Sequence, residues 1–355
     1  MSETAHPDGR PSWWIYRGTG RPLGDIGLMD LLPPAPPWRK FDAGPAPEAG
    51  PAPEDDRETD RRLGAAHHLA ARLVDPHEIE MVNAALYLRR PLLVTGQPGS
   101  GKSSLAYRIA RELRLGRVLR WPIGSRTTVK SGLYGYDAIG RAQAAAARFS
   151  MAGDRTGAVA EPPIGEFVRL GPVGTAFLPR RLPRVLLIDE LDKSEADLPN
   201  DLLSLFEDGE FDIAELVRVR SRTPSVEVFT ADPDGMAEII GGRICCHAFP
   251  VVVITSNGER DFPPAFLRRC LRYETKEPNA EQLAAIVAAH ALESSETSRL
   301  VEEFVARSVA VGSLPADKLL DAVYLATSGA YRPDDEESWP RLVDALWRQL
   351  NPAAR

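Results

Sequence analysis

The chain has 355 residues, a length that suits roughly two domains, with 43% hydrophobic residues, 26% charged residues and a formal net charge of −7. That composition excludes a small stapled scaffold and a wholly disordered chain. The acidic balance argues against a non-specific binder of nucleic acid or anionic membrane. Three cysteines (Cys245, Cys246 and Cys270) are too few for a disulfide framework. No apolar run reaches the ~18 residues that span a bilayer, and the N-terminus has no signal-peptide stretch, so a soluble cytoplasmic protein is expected.

Residues 1–62 hold eleven of the 31 prolines. Repeated proline blocks helices and central strands, so this region reads as a Pro-rich, largely extended arm, with residues 43–57 as a linker. Trp13, Trp14, Ile15 and Tyr16 are too apolar for a spacer. They read either as an arm that packs on its own domain or as a docking element for a partner protein. From Arg61 apolar residues recur at helical spacing, with a break at Asp75-Pro76. Short apolar runs at 91–95, 118–121, 185–188 and 249–254 then alternate with helical patterns. That alternation predicts an α/β core with a parallel sheet over residues 63–277. From Asn279 the pattern is helical only, which sets 278–355 apart as an α-helical domain.

The strongest motif is Gly96-Gln97-Pro98-Gly99-Ser100-Gly101-Lys102-Ser103, which satisfies G-x-x-x-x-G-K-[ST] between a predicted strand and a predicted helix. The glycines let the backbone curl so that successive N–H groups point at a phosphate, and the helix start adds its positive end. Lys102 reaches the β- and γ-phosphates, Ser103 ligates Mg²⁺, and Ser104 follows in the same binding set. The apolar run ending in Asp189-Glu190 places two carboxylates at a strand's C-terminal end, where ligands of open α/β sheets bind. Asp189 would hold Mg²⁺ and Glu190 would polarise the attacking water. A third buried run ends in Asn257, which can position that water if its strand lies between the other two. In FPPAFLRRCLRYE, Arg268 and Arg269 project from a short helix, and either could serve a transferring phosphoryl group.

In this order the four elements resemble the AAA+ ATPases. Residues 165–172 (GEFVRLGP), 186–211 and 262–274 are most similar to the MoxR-like subgroup. The resemblance covers about residues 64–330. It implies a P-loop NTPase fold, a three-layer parallel-sheet core with a C-terminal α-helical lid. ATP and Mg²⁺ would bind between the two. It further implies a homo-oligomeric ring, a hexamer before other closures, in which a neighbour donates an arginine. Arg269 matches that arginine best, with Arg268 beside it. The implied function is ATP-driven remodelling or activation of a protein client, with the Trp13/Trp14 arm as a docking element. A second reading is a slowly hydrolysing nucleotide-dependent switch or scaffold in a multi-protein signalling or defence system. It is kept because the family's lid-arginine slot holds Ala316, with Lys318 nearby. No motif separates ATP from GTP.

Three smaller expectations complete the reading. Residues 210–213 and 226–230 would pair as a hairpin, with the basic run 217–222 exposed between them. Tyr134 and Tyr136 would either contact a client or pack locally. Cys245-Cys246-His247 has no second cluster to complete a zinc site.

Overall fold

Along each central apolar run, successive side chains go to opposite faces, as the two-residue period of a strand requires. Leu93, Leu186, Ile188, Val252 and Ile254 enter one buried cluster, while Leu92, Val94, Val185, Leu187 and Val253 enter another on the opposite face. Burial on both faces is what a parallel sheet demands. The computed structural model describes residues 11–24, 27–41, 56–65, 75–152, 161–290, 295–311, 314–328 and 338–347. Their strands are β1 (Leu92–Thr95), β2 (Leu119–Pro122), β3 (Tyr134–Tyr136), β4 (Val168–Leu170), β5 (Val185–Asp189), β6 (Glu210–Asp212), β7 (Ser225–Phe229), β8 (Met236–Ile240), β9 (Arg243–Cys245), β10 (Val251–Ser256) and β11 (Leu271–Glu274).

The central sheet has the order β11-β1-β10-β5-β2, and all four of its pairings are parallel. Thus β10, which runs into Asn257, lies between β1 and β5. Helices Pro76–Leu88 and Lys102–Glu112 cover one face; Leu198–Asp208 and a second sheet cover the other. Asp75 caps the first of these helices through its side chain, with Pro76 at the first helical position, so the break seen in the sequence is a helix start. Helices Ala280–Ala289, Ser295–Val311, Ala316–Thr327 and Ser338–Leu346 form the C-terminal domain. They enclose a separate core that includes Leu283, Phe304, Leu319 and Trp347. Among the described residues no helix is long and apolar enough to cross a membrane.

One reading needs correction and two gain detail. The arm is not extended at every residue: Leu28–Leu31 and Asp56–Leu63 are helices, while most of the linker lies outside the described residues. Ile15 and Tyr16 are buried in the core cluster beside Val82 and Ile109, and Phe41 stacks on Phe249 at 5.8 Å. Nor is there a hairpin of 210–213 with 226–230. Instead β6 pairs with β9 and β7 with β8, and the basic run spans the end of helix Ala214–Val219 and the turn after it. Hydrophobic runs mark strands but not their partners. Finally, Tyr134 is buried in the core, and its hydroxyl accepts a bond from the Ala214 N–H at 3.2 Å. It therefore packs locally; Tyr136 is half-buried.

Candidate functional site

The loop between β1 and helix Lys102–Glu112 turns on Gly96, Gly99 and Gly101, all with positive φ. At Gly99 a side chain is excluded twice over. Its φ is +77°, and a Cβ would stand 2.5 Å from Pro315 Cα, so the C-terminal domain abuts the loop at this point. Lys102 is buried. Its Nζ donates to the carbonyls of Gly96 (2.8 Å) and Gln97 (2.7 Å). Burial pulls its ammonium below the usual value, against the opposing pull of Asp192, Glu190 and Asp189.

Asp189 ends β5 and is fully hydrogen-bonded. Its Oδ1 accepts from Ser103 Oγ (2.6 Å) and Thr255 Oγ1 (2.9 Å). Its Oδ2 accepts from Arg120 Nε (2.9 Å) and Nη2 (2.7 Å). Burial alone would push this carboxyl up; the bonds from Ser103, Arg120 and Thr255 outweigh it and hold the group below the usual carboxylate range. Glu190 has left-handed backbone, φ 64°. Its N–H donates to Thr255 Oγ1 (2.8 Å), and its carboxylate pairs with Lys193 Nζ at 2.8 Å. Asn257 is fixed through its backbone, whose N–H donates to Asp192 Oδ2 at 2.8 Å.

These groups meet at one cavity of about 950 Å³ between the core and the helical domain. Pro98, Gly99, Ser100, Gly101, Lys102, Ser103, Ser104, Glu190 and Asn257 all line it. Gly96 and Gln97 lie at the root of the loop, and Asp189 stands behind Ser103. From the helical domain come Pro315, Ala316 and Asp317, but not Lys318. Arg268 and Arg269 are not brought to the cavity. Arg268 is exposed, and Arg269 pairs with Glu207 while donating to the Ala265 carbonyl at 3.2 Å.

The set suits a divalent cation of the magnesium kind. Ser103 and Asp189 are adjacent oxygen donors, and such an ion takes few protein ligands beside phosphate and water. Among the described residues, no group of three or more His, Cys, Asp and Glu side chains gathers to hold a metal. Sequence reasoning missed Arg120, Thr255, Asp192 and Lys193. Arg120 had a readable signal, a charge between Leu119 and Trp121 on a strand that proves adjacent to β5. The others depend on chain folding.

The strand order, glycine loop and acidic strand end described above are common to many nucleotide-binding chains, so a comparison with known families decides among them. No curated protein matches the chain. A family model described as AAA domain (dynein-related subfamily) matches residues 91–270, just over half of it. That span runs from the residue before β1 to the residue before β11 and takes in the loop, Asp189, Glu190, Asn257 and both arginines. The chain therefore belongs to the AAA domain family, dynein-related subfamily, and carries a nucleotide-dependent AAA+ ATPase domain.

Proposed function

We propose that this protein binds ATP with Mg²⁺, hydrolyses it within a homo-oligomeric ring, and uses the resulting movement to remodel or activate a partner protein, in the manner of MoxR-like ATPases. One observation carries the reading. Lys102, Ser103, Glu190 and Asn257 converge from three adjacent strands on one cavity, with Asp189 in contact with Ser103. A triphosphate in the loop would offer Lys102 charged acceptors in place of two neutral carbonyls. Ser103 and Asp189 would hold the ion, which bridges phosphate oxygens and neutralises developing charge. Glu190, released from Lys193, accepts a proton from the attacking water, and Asn257 orients that water. Arg269, with Arg268 beside it, is on a different surface from its own cavity, which suits service to a neighbouring subunit. A hexamer is the first closure to test. The client is a protein, for which the arm with Trp13 and Trp14 is the candidate dock; Trp13 is 39% exposed.

A second reading, a slowly cycling switch or scaffold, has its own support. Glu190 is paired with Lys193, and the helical domain presents Ala316 and Asp317 to the cavity rather than an arginine. ATP turnover measured across protein concentration separates the two. A rate per subunit that climbs with concentration and vanishes in Arg269→Ala supports the ring ATPase. A flat, negligible rate with tight ATP binding supports the switch.

A further inference from the structure

Two turns meet where the strands that lead to Glu190 and Asn257 end. The first is the single turn Leu191–Lys193, which follows Glu190. The second is the bend over residues 257–260, after β10. Asp192 joins them. It is buried, and its Oδ2 accepts from the N–H of Asn257 (2.8 Å) and the N–H of Glu259 (3.1 Å). Between these two, Gly258 has φ +78° and donates its N–H to Ser256 Oγ at 3.0 Å. A left-handed residue at that place curls the backbone, so that the flanking N–H groups converge on one negative charge.

Packing alone does not select a carboxylate here. Asp192 Oδ1 is buried with no hydrogen-bond partner among the described residues, and an acceptor left so is costly. The charge is offset at a distance by Lys102, whose ammonium feels Asp192 more strongly than Glu190 or Asp189. In return, hydrogen bonds to an ionised oxygen are about twice as strong as neutral ones, and both fall on the backbone that carries Asn257. Asp192 does not itself line the cavity, whereas Glu190 and Asn257 do. A separate tie, from Arg260 Nη1 to the Ser194 carbonyl at 2.6 Å, joins the same two turns without touching Asn257. Holding the turns together therefore does not depend on Asp192, but fixing the Asn257 backbone does.

We infer that Asp192 is a positioning residue for ATP hydrolysis: through the N–H groups of Asn257 and Glu259 it sets the Asn257 side chain against Glu190, so that both address one attacking water. This role rests on the hydrolytic reading above and deepens it. The three carboxylates after β5 then divide by task. Asp189 contacts Ser103, Glu190 lines the cavity, and Asp192 acts only through the turn it holds. A small displacement of that turn matters, because the water must meet the phosphate and both side chains in one geometry.

The test measures steady-state ATP turnover and the binding of a fluorescent ATP analogue by the full chain, with Mg²⁺ present. Asp192→Ala is expected to lower turnover about thirtyfold, while the analogue binds within about twofold of wild type. Asp192→Asn keeps one side-chain oxygen for the two N–H groups and is expected to restore turnover to within about threefold of wild type. In an Asn257→Ala background, Asp192→Ala is expected to cost less than about a further twofold, because the carboxylate acts through Asn257. A further thirtyfold loss in that background overturns the inference, as does unchanged turnover in Asp192→Ala. An equal loss of analogue binding and turnover also overturns it, since the carboxylate then serves only the fold. A wild-type chain that binds the analogue without turning ATP over overturns the hydrolytic reading itself, and this inference with it.

Discussion

Arg120 grips Asp189: both Nε and Nη2 of the guanidinium donate to a single carboxylate oxygen, at 2.9 and 2.7 Å. A cation thus already stands beside the carboxylate assigned to Mg²⁺, and it opposes a second positive charge. Arg120→Gln is expected to lower the Mg²⁺ concentration for half-maximal ATP binding by about threefold, a modest effect because the guanidinium is 40% exposed and screened. A Mg²⁺ titration with a fluorescent ATP analogue measures it.

Lys193 restrains Glu190 in a partly exposed ion pair. Such pairs are worth about 0–1 kcal/mol, so Lys193→Ala is expected to raise turnover by no more than about fivefold. ATP affinity should not change, because Lys193 does not line the cavity. Steady-state kinetics alongside equilibrium binding check both halves.

Arg269 is tied to Glu207 and, in the proposed ring, must leave it to serve a neighbour. Arg269→Ala is expected to cut turnover by about 10³-fold or more while sparing ATP binding. Glu207→Gln removes the competing carboxylate, and half-maximal turnover should then appear at lower protein concentration. Rate against concentration for the three proteins reads this directly.

Arg184 and Asp232 form a buried bidentate pair at 2.7 and 2.8 Å that ties the start of β5 to the loop after β7. Burial alone would raise the Asp232 carboxyl; the Arg184 bonds and charge outweigh it and hold it below the usual range. A depressed carboxyl contributes stability that is whole above the unfolded value of about 3.9 and is lost as pH falls through the lower folded value. Asp232→Asn is expected to cost about 3–5 kcal/mol at pH 7. The gap from wild type should narrow below about pH 4, as measured by urea unfolding across pH.

The parts of the fold that the sequence displayed are those written in local chemistry. The glycine loop, the helix start at Asp75-Pro76 and four of the five central strands each follow from adjacent residues. The fifth strand, Leu271–Glu274, was hidden because LRYE is short and carries charge at alternate positions. It takes its place only by pairing with β1. Residues 210–212 and 243–245 pair across thirty residues, and no local pattern names that partner. The same holds in the site. Lys102, Ser103, Asp189, Glu190 and Asn257 were legible as motif positions. Arg120 and Thr255 reach Asp189 only once strands distant in sequence are adjacent.

The most direct test of the account compares ATP turnover and ATP binding in wild type and Glu190→Gln. Removing a positioned general base costs about 10²–10⁴ in rate. The account predicts that Glu190→Gln keeps ATP affinity within about threefold while turnover falls at least about a hundredfold. Equal turnover in the two proteins, or no ATP binding by wild type, would contradict it.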